Sequence, residues 1–229
     1  MRFANRIAST VIFAGILTAL LASPPTASAT AAVETHTAMV CLRPTSSHAM
    51  QAMATRYACG LHHLRGQELE TTFMAAMIPH HVAAVAMARL ELARGTHPQL
   101  KAMARQIIAS QNAQIGQMTN WLHAWYDLTP AQARARAPAD MRKMLDSMAA
   151  DMRQMTTRLA AVPAGPGFDR TFMEAMIPHH EMAVIASRMV SGRADHSRLR
   201  TLASQIITSQ SAEIRQMRAW LRAWYGINA

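Results

Sequence analysis

Apolar residues recur at helical spacing through most of the chain, and no segment alternates convincingly as a strand would. A first helix is predicted over about Glu68 to Ala93, with Gly95 available as a stop and Pro98 beyond it. A second is predicted over about Gln99 to Tyr126. Its apolar face comprises Met103, Ile107, Ile108, Ile115, Met118 and Leu122. The two helices and their short turn predict a helical hairpin.

The hairpin occurs twice. FMAAMIPHHVAAVAMA begins at Phe73 and FMEAMIPHHEMAVIAS at Phe172, an offset of 172 − 73 = 99 residues. At the same offset the sequence QIIASQNAQIGQMTNWLHAWY aligns with QIITSQSAEIRQMRAWLRAWY. The chain therefore carries an internal duplication. Four helices with apolar faces bury them best as a bundle. The sequence therefore predicts an all-α four-helix bundle made of two tandem hairpins, with an additional connecting helix.

The connecting helix is predicted from methionines spaced three or four residues apart. We interpret this face as a core or groove-covering stripe, because methionine fills irregular gaps well. It comprises Met141, Met144, Met148, Met152 and Met155. The predicted organisation is a signal peptide (1–29), an N-terminal segment (30–67), the first hairpin (68–127), the connecting helix and loop (128–168) and the second hairpin (169–229), the two hairpins forming one bundle.

The N-terminus predicts export. Arg2 and Arg6 precede an apolar run from Val11 to Leu21, and Ala27-Ser28-Ala29 fits a signal-peptidase site. A cleavable signal peptide places the protein in the periplasm or outside the cell, and an uncleaved membrane anchor is the alternative. The net charge of +10 comes mainly from scattered arginines. That pattern indicates a solvated surface with some attraction to anionic envelope material, and it does not favour nucleic-acid binding.

The two cysteines, Cys41 and Cys59, lie in the N-terminal segment. An exported protein meets oxidising conditions, which favour a disulfide between them. The alternative is a thiol metal site, because histidines and methionines lie nearby in the chain. These neighbours are His48, Met50, Met53, His62 and His63.

The repeated phrase carries the candidate chemistry. At 100° per residue Met74, Met77 and His81 share one helix face, whereas His80 points about 100° away from His81. Pro79 removes one helical hydrogen bond, which predicts a kink or a helix start that turns the histidines. Antiparallel pairing within the hairpin brings further residues to this face. In the first copy these are Gln111, Gln114 and Met118, and in the second Gln210, Glu213 and Met217 face Met173, Met176 and His180.

Mixed thioether and imidazole donors favour copper. Thioethers select Cu(I) and, by the same softness, Ag(I), whereas imidazole also accepts Cu(II). Structural zinc prefers thiolate and imidazole in a closed tetrahedron. The chain holds 19 methionines, although methionine is not among the common residues of ordinary domains, and part of this excess fills the core. The predicted metal ligands are Met74, Met77, His80, His81, Met118, Met173, Met176, His179, His180, Glu213 and Met217.

These motifs resemble a known family. The stretch D-x-x-F-M-x-x-M-I-P-H-H from Asp169 to His180, with Q-x-x-E-I-x-x-M-x-x-W-L from Gln210 to Leu221, resembles domain of unknown function 305. The resemblance implies a ferritin-like four-helix bundle and exported copper-binding activity through methionine and histidine. It implies metal-ligand roles for the methionines and histidines of both MIPHH phrases. Gln114 stands where the second copy has Glu213, so the two sites need not be equivalent.

Three functions are weighed. The first is an exported protein that binds Cu(I) for sequestration, delivery or tolerance, with metal ions and other copper-handling proteins as partners. The second is a metal-free envelope interaction module whose MIPHH phrases only shape and pack helices. The third is a ferritin-like di-metal oxidase, which the sequence opposes because no Glu-x-x-His occurs. No nucleophilic catalytic motif or phosphate-binding loop is present, which favours a protein that is not an enzyme.

Overall fold

The computed structural model describes residues 49–228, and every regular element in that range is a helix. The all-α prediction is confirmed. The signal peptide and Cys41 lie outside the described residues. The helices are α1 (Ala49–His63), α2 (Gly66–Arg94), α3 (Pro98–Tyr126), α4 (Pro130–Arg136), α5 (Ala139–Ala160), α6 (Pro166–Arg188) and α7 (Ser197–Tyr225).

Both predicted hairpins are present. Helices α2 and α3 pack along their length, as do α6 and α7, and α2 packs against α6 to join the two hairpins. Pro79 and Pro178 lie inside α2 and α6, so each helix continues through its proline and does not begin there. Helix α2 is long and apolar enough to cross a membrane, but 72% of its most apolar stretch is buried in the bundle. That burial is typical of a core helix.

Each hairpin is preceded by a further helix that packs on the other hairpin. Helix α1 packs on α6, and α5 packs on α2. Two arginines 193 − 94 = 99 residues apart cap these helices in the same way. The guanidinium of Arg193 donates to carbonyls of Leu61, His62 and Leu64, and that of Arg94 donates to carbonyls of Ala160 and Val162. The sequence pattern did not predict α1, which lies within the segment 30–67.

Two acid–histidine contacts hold the hairpins together at their ends. Asp169, in the first turn of α6, accepts a hydrogen bond from Nδ1 of His97, at 2.8 Å, and another from the backbone N–H of Thr96, at 2.9 Å. At the other end Glu70 of α2 accepts from Nδ1 of His196, at 2.6 Å. Each histidine is the N-cap residue of the second helix of its hairpin. Because each acid belongs to the other hairpin, these contacts fix how the two repeats are aligned.

A tryptophan near the C-terminal end of each hairpin packs over one of these contacts. Trp224 stacks on His97 with ring centroids 3.9 Å apart, and Trp125 stacks on His196 at 3.8 Å. The Tyr126 hydroxyl also donates to the Glu70 carboxylate. The tryptophans thus pack on the imidazole rings, and both acids are fully buried.

The buried apolar residues form two clusters, one towards each end of the bundle. One contains the N-terminal half of α2 and the C-terminal half of α6, and the other contains the opposite halves, because α2 and α6 run antiparallel. Between the clusters each of the four long helices contributes buried polar side chains. These are His80 and His81 of α2, Gln111 of α3, His179 and His180 of α6, and Gln210 of α7. We call these six residues the polar layer.

Candidate metal site

All six side chains of the polar layer are at most 3% exposed. Buried polar atoms in proteins are nearly always hydrogen-bonded. In this layer Nδ1 of all four histidines and both amide atoms of Gln111 and Gln210 lack a partner within residues 49–228. The layer therefore gathers nitrogen and oxygen donors that the surrounding protein leaves free, which fits a binding site better than a packing device.

His81 and His180 each point to the second helix of their own hairpin. Nε2 of His81 lies 2.7 Å from Oε1 of Gln114, and Nε2 of His180 lies 2.8 Å from Oε2 of Glu213. Hairpin pairing predicted Gln111, Gln114 and Met118 on the face opposite the MIPHH phrase, and among these the hydrogen-bond partner of His81 is Gln114.

His80 and His179 meet each other where α2 crosses α6. Their ring centroids are 3.7 Å apart with planes inclined by 34°. Nε2 of His80 donates to the backbone carbonyl of His179 over 3.0 Å. The prediction that adjacent histidines on one helix point in different directions is confirmed. One histidine of each pair faces its own hairpin, and the other faces the opposite hairpin.

The hydrogen-bond acceptors next to the rings show which nitrogen of an imidazole carries the proton. A carbonyl only accepts, so Nε2 of His80 carries the proton and Nδ1 keeps its lone pair. The same holds for His81 where the Gln114 amide oxygen faces it. Burial is the main cause that holds the pKa of His80 and His179 well below the ordinary value. Burial likewise lowers the pKa of His81 to about 4. These rings are neutral at pH 7.

An imidazole whose N–H is held by a carboxylate, carbonyl or amide is the usual form of a metal-binding histidine. The free Nδ1 atoms are therefore the candidate ligand atoms of the polar layer. Glu213 was predicted as a ligand, and its contact with Nε2 of His180 suits it to orient that ring. Gln111 and Gln210 were left out of the predicted ligand set. Their predicted position opposite the MIPHH face was the feature of the sequence that could have identified them.

The predicted methionines are all buried, none more than 2% exposed, and they flank the layer in two groups. Met74, Met77 and Met118 pack in the cluster on one side, and Met173, Met176 and Met217 pack in the cluster on the other. In the described range no three His, Cys, Asp or Glu side chains converge as they would around a hard or borderline metal ion. Any metal bound here would rely on thioether sulfur together with imidazole nitrogen, which fits the soft ions predicted from the sequence.

Cys59 is disulfide-bonded. A disulfide sulfur is not a thiolate ligand. The candidate metal ligands near Cys59 in the chain are therefore only histidines and methionines. The only other cysteine in the sequence, Cys41, lies outside the described residues, so its pairing with Cys59 stays a prediction.

Fold and site together define a class: an α-helical bundle of two duplicated hairpins with a buried histidine–glutamine layer between methionine-containing clusters. The chain belongs to the family described as domain of unknown function (DUF305), whose family model matches residues 17–122 and 70–221. Membership confirms the resemblance stated from the MIPHH motifs.

Solved structures share this fold. CopM in its Cu(I)-bound form is 35% identical, with a TM-score of 0.54, over 69% of this chain and 98% of that chain. CopM in its Cu(II)-bound form is 31% identical, with a TM-score of 0.56, over 71% of this chain and 100% of that chain. A putative secreted DUF305 protein from Streptomyces coelicolor, 23% identical with a TM-score of 0.55 over 69% of this chain and 93% of that chain, shows the fold alone.

Among curated proteins, Uncharacterized protein L153 of Acanthamoeba polyphaga mimivirus is 40% identical over 53 residues. The match covers 23% of this chain and 35% of that protein, so the chain spans about a third of the length of this curated relative.

Proposed function

We propose that this chain is an exported protein that binds Cu(I), and Ag(I) by the same chemistry, for copper sequestration, delivery or tolerance. The observation that carries the proposal is the polar layer: four buried histidines whose Nδ1 atoms have no hydrogen-bond partner among residues 49–228, flanked on both sides by buried methionines. Neutral nitrogen and sulfur donors in a buried site suit a monovalent soft cation. CopM, crystallised with Cu(I), Cu(II) and Ag, supports this choice of metal by similarity.

The metal is cargo in this proposal, and the protein acts by holding it. The described residues contain buried carboxylates, but Glu70, Glu91 and Asp169 lie at the ends of the long helices, away from the polar layer. A di-metal oxidase needs carboxylates facing one another in the centre of the bundle. The structure thus favours metal storage or transfer over oxidase chemistry, and a non-enzymatic role is part of the proposal.

Export and partners follow from the same reasoning. The predicted signal peptide supports a periplasmic or extracellular location. Other copper-handling proteins are the proposed partners, and the anionic envelope surface is a second candidate for a chain of net charge +10.

The test is Cu(I) binding by variants of the polar layer. His80, His81, His179 and His180 are changed together to glutamine, which keeps polarity and removes the imidazole donors. Stoichiometry and affinity are measured by competition with a colorimetric Cu(I) chelator. We expect the variant to lose at least half of the bound Cu(I). The matched control changes His62 and His63, an adjacent histidine pair at the end of α1 outside the layer, and should bind the wild-type amount.

Thermal melting separates the metal-binding proposal from the interaction module. A ligand that binds the native state must raise the melting temperature. Saturating Cu(I) should raise the melting temperature of the wild type and of the His62/His63 control. Unchanged binding in the folded quadruple variant would refute the ligand assignment. No melting shift in the wild type would favour the metal-free module.

A further inference from the structure

A small cavity lies beside His80, where α5 and α6 pack against α2. Its volume of about 10 Å³ is the space that the centre of one water molecule needs. Three methionines line it: Met148 and Met152 of α5 and Met182 of α6, each at most 5% exposed. None of the three belongs to the ligand set predicted from the MIPHH phrases.

His80 also lines the cavity. Its Nε2 is committed as a donor to the His179 carbonyl, so Nδ1 bears the lone pair. That Nδ1 is buried and has no hydrogen-bond partner among residues 49–228. Three methionines and one histidine, all uncharged, are therefore among the residues that line a space of single-ion size. This donor set is soft throughout.

The rest of the cavity wall favours a monovalent ion over a divalent one. No carboxylate lines the cavity, and Arg134 does, its guanidinium paired with Asp146. The cost of burying an ion without counter-charge rises steeply with its charge. A neighbouring guanidinium adds to that cost. Cu(II) and Zn(II) are thus disfavoured relative to Cu(I) and Ag(I).

The cavity can be reached from the surface. It shares Ala75, Pro79, Arg134, Ala149 and Met152 with an apolar surface groove of about 540 Å³ between α2, α4 and α5. His80 itself is only 3% exposed. An ion entering along the groove would meet the thioether of Met152 before the imidazole of His80, because Met152 lines both spaces.

The positions related to this site by the 99-residue offset do not reproduce the donor set. Met53 stands 99 positions before Met152, but Ala49 and Ala83 stand 99 positions before Met148 and Met182 and have no sulfur. The duplication therefore supplies two MIPHH phrases but one such cavity. We propose that Met148, Met152, Met182 and His80 form one further Cu(I)- and Ag(I)-binding site per chain, at the inner end of the groove. The Nδ1 lone pair of His80 then serves this site, and the polar layer binds metal through its other three histidines. The site rests on the proposed function for the class of metal that it binds.

The test counts Ag(I), which is redox-inert, by equilibrium dialysis and mass spectrometry on the full chain. Met148, Met152 and Met182 are changed together to leucine, which conserves volume and removes sulfur. We expect the variant to bind one Ag(I) fewer per chain than the wild type. The matched control replaces Met141, Met144 and Met155, on the same helix but outside the cavity lining, and should bind the wild-type number.

A second measurement needs no substitution. In a ¹³C-methyl methionine spectrum of the wild type titrated with Ag(I), the ε-methyl signals of Met148, Met152 and Met182 should shift together. Equal Ag(I) counts in the wild type and the leucine variant, an equal loss in the control, or three unmoved methyl signals in a protein that binds Ag(I) would each overturn the cavity site alone. A wild type that binds neither Ag(I) nor Cu(I) would overturn the proposed function and this site with it.

Discussion

A buried carboxyl pair at one end of the bundle makes stability depend on pH. Glu91 of α2 is fully buried, and neither of its oxygens has a hydrogen-bond donor among the described residues. Burial first, then the neighbouring Asp169, raises the pKa of Glu91 to about 9. Burial alone would raise the pKa of Asp169, but hydrogen bonds from Glu91, Thr96 and His97 outweigh it and hold that pKa below its ordinary value. Glu91 is thus protonated at pH 7 and donates to the Asp169 carboxylate.

The sign of the effect follows from proton counting. Between pH 4.5 and about 9 the folded protein keeps the Glu91 proton and the unfolded chain releases it. Raising the pH therefore favours unfolding, by about 1.4 kcal/mol per pH unit in that window. At pH 7 the accumulated cost is at most about 3 kcal/mol. The stabilising contribution of protonated Glu91 to the free energy of unfolding is present in full only below pH 4.5.

Glu91→Gln removes this cost, because the amide donates to Asp169 without having to hold a titratable proton. We expect the variant to exceed the wild type in free energy of unfolding by about 1–3 kcal/mol at pH 7. The difference should grow towards pH 8 and shrink towards pH 5. The assay is urea unfolding of metal-free protein, followed by circular dichroism at pH 5, 6, 7 and 8.

Glu68→Gln is the matched control, because Glu68 lies exposed on the same helix. Its unfolding free energy should follow the wild type at every pH. Parallel pH profiles for Glu91→Gln and the wild type would show that Glu91 ionises normally in the folded protein, and would refute the reasoning.

Three further predictions concern single residues. A Cβ at Gly95 would overlap the Glu91 carboxyl and lie 2.5 Å from Oδ1 of Asp169, so Gly95→Ala should lower the unfolding free energy by about 1–3 kcal/mol. Gly116→Ala, where a Cβ meets nothing within 4 Å on α3, should raise it by up to about 1 kcal/mol in the same denaturation assay. Glu213→Gln should weaken one class of Cu(I) site about 10-fold or more by removing the carboxylate that orients His180, and unchanged competition titrations would contradict this.

The helical hairpins could be predicted from the sequence because helix periodicity depends on residues three and four apart. The same local geometry showed that His80 and His81 point in different directions, and the chemistry of thioether and imidazole indicated a soft metal. Pro79 and Pro178 were harder to interpret. A kink and a helix start are both local options, and packing on both sides of α2 and α6 keeps the helices continuous.

The tertiary structure decided two features: the polar layer, and the packing of α1 and α5 each on the hairpin that it does not precede. His80 and His179 are 99 residues apart, and their contact depends on how α2 crosses α6. Whether His81 meets Gln111 or Gln114 depends on how α3 packs against α2. Periodicity tells which face of a helix is apolar, but it carries no information about the register of that face against a neighbour. Packing of the whole bundle sets that register, and with it the donors that share one layer.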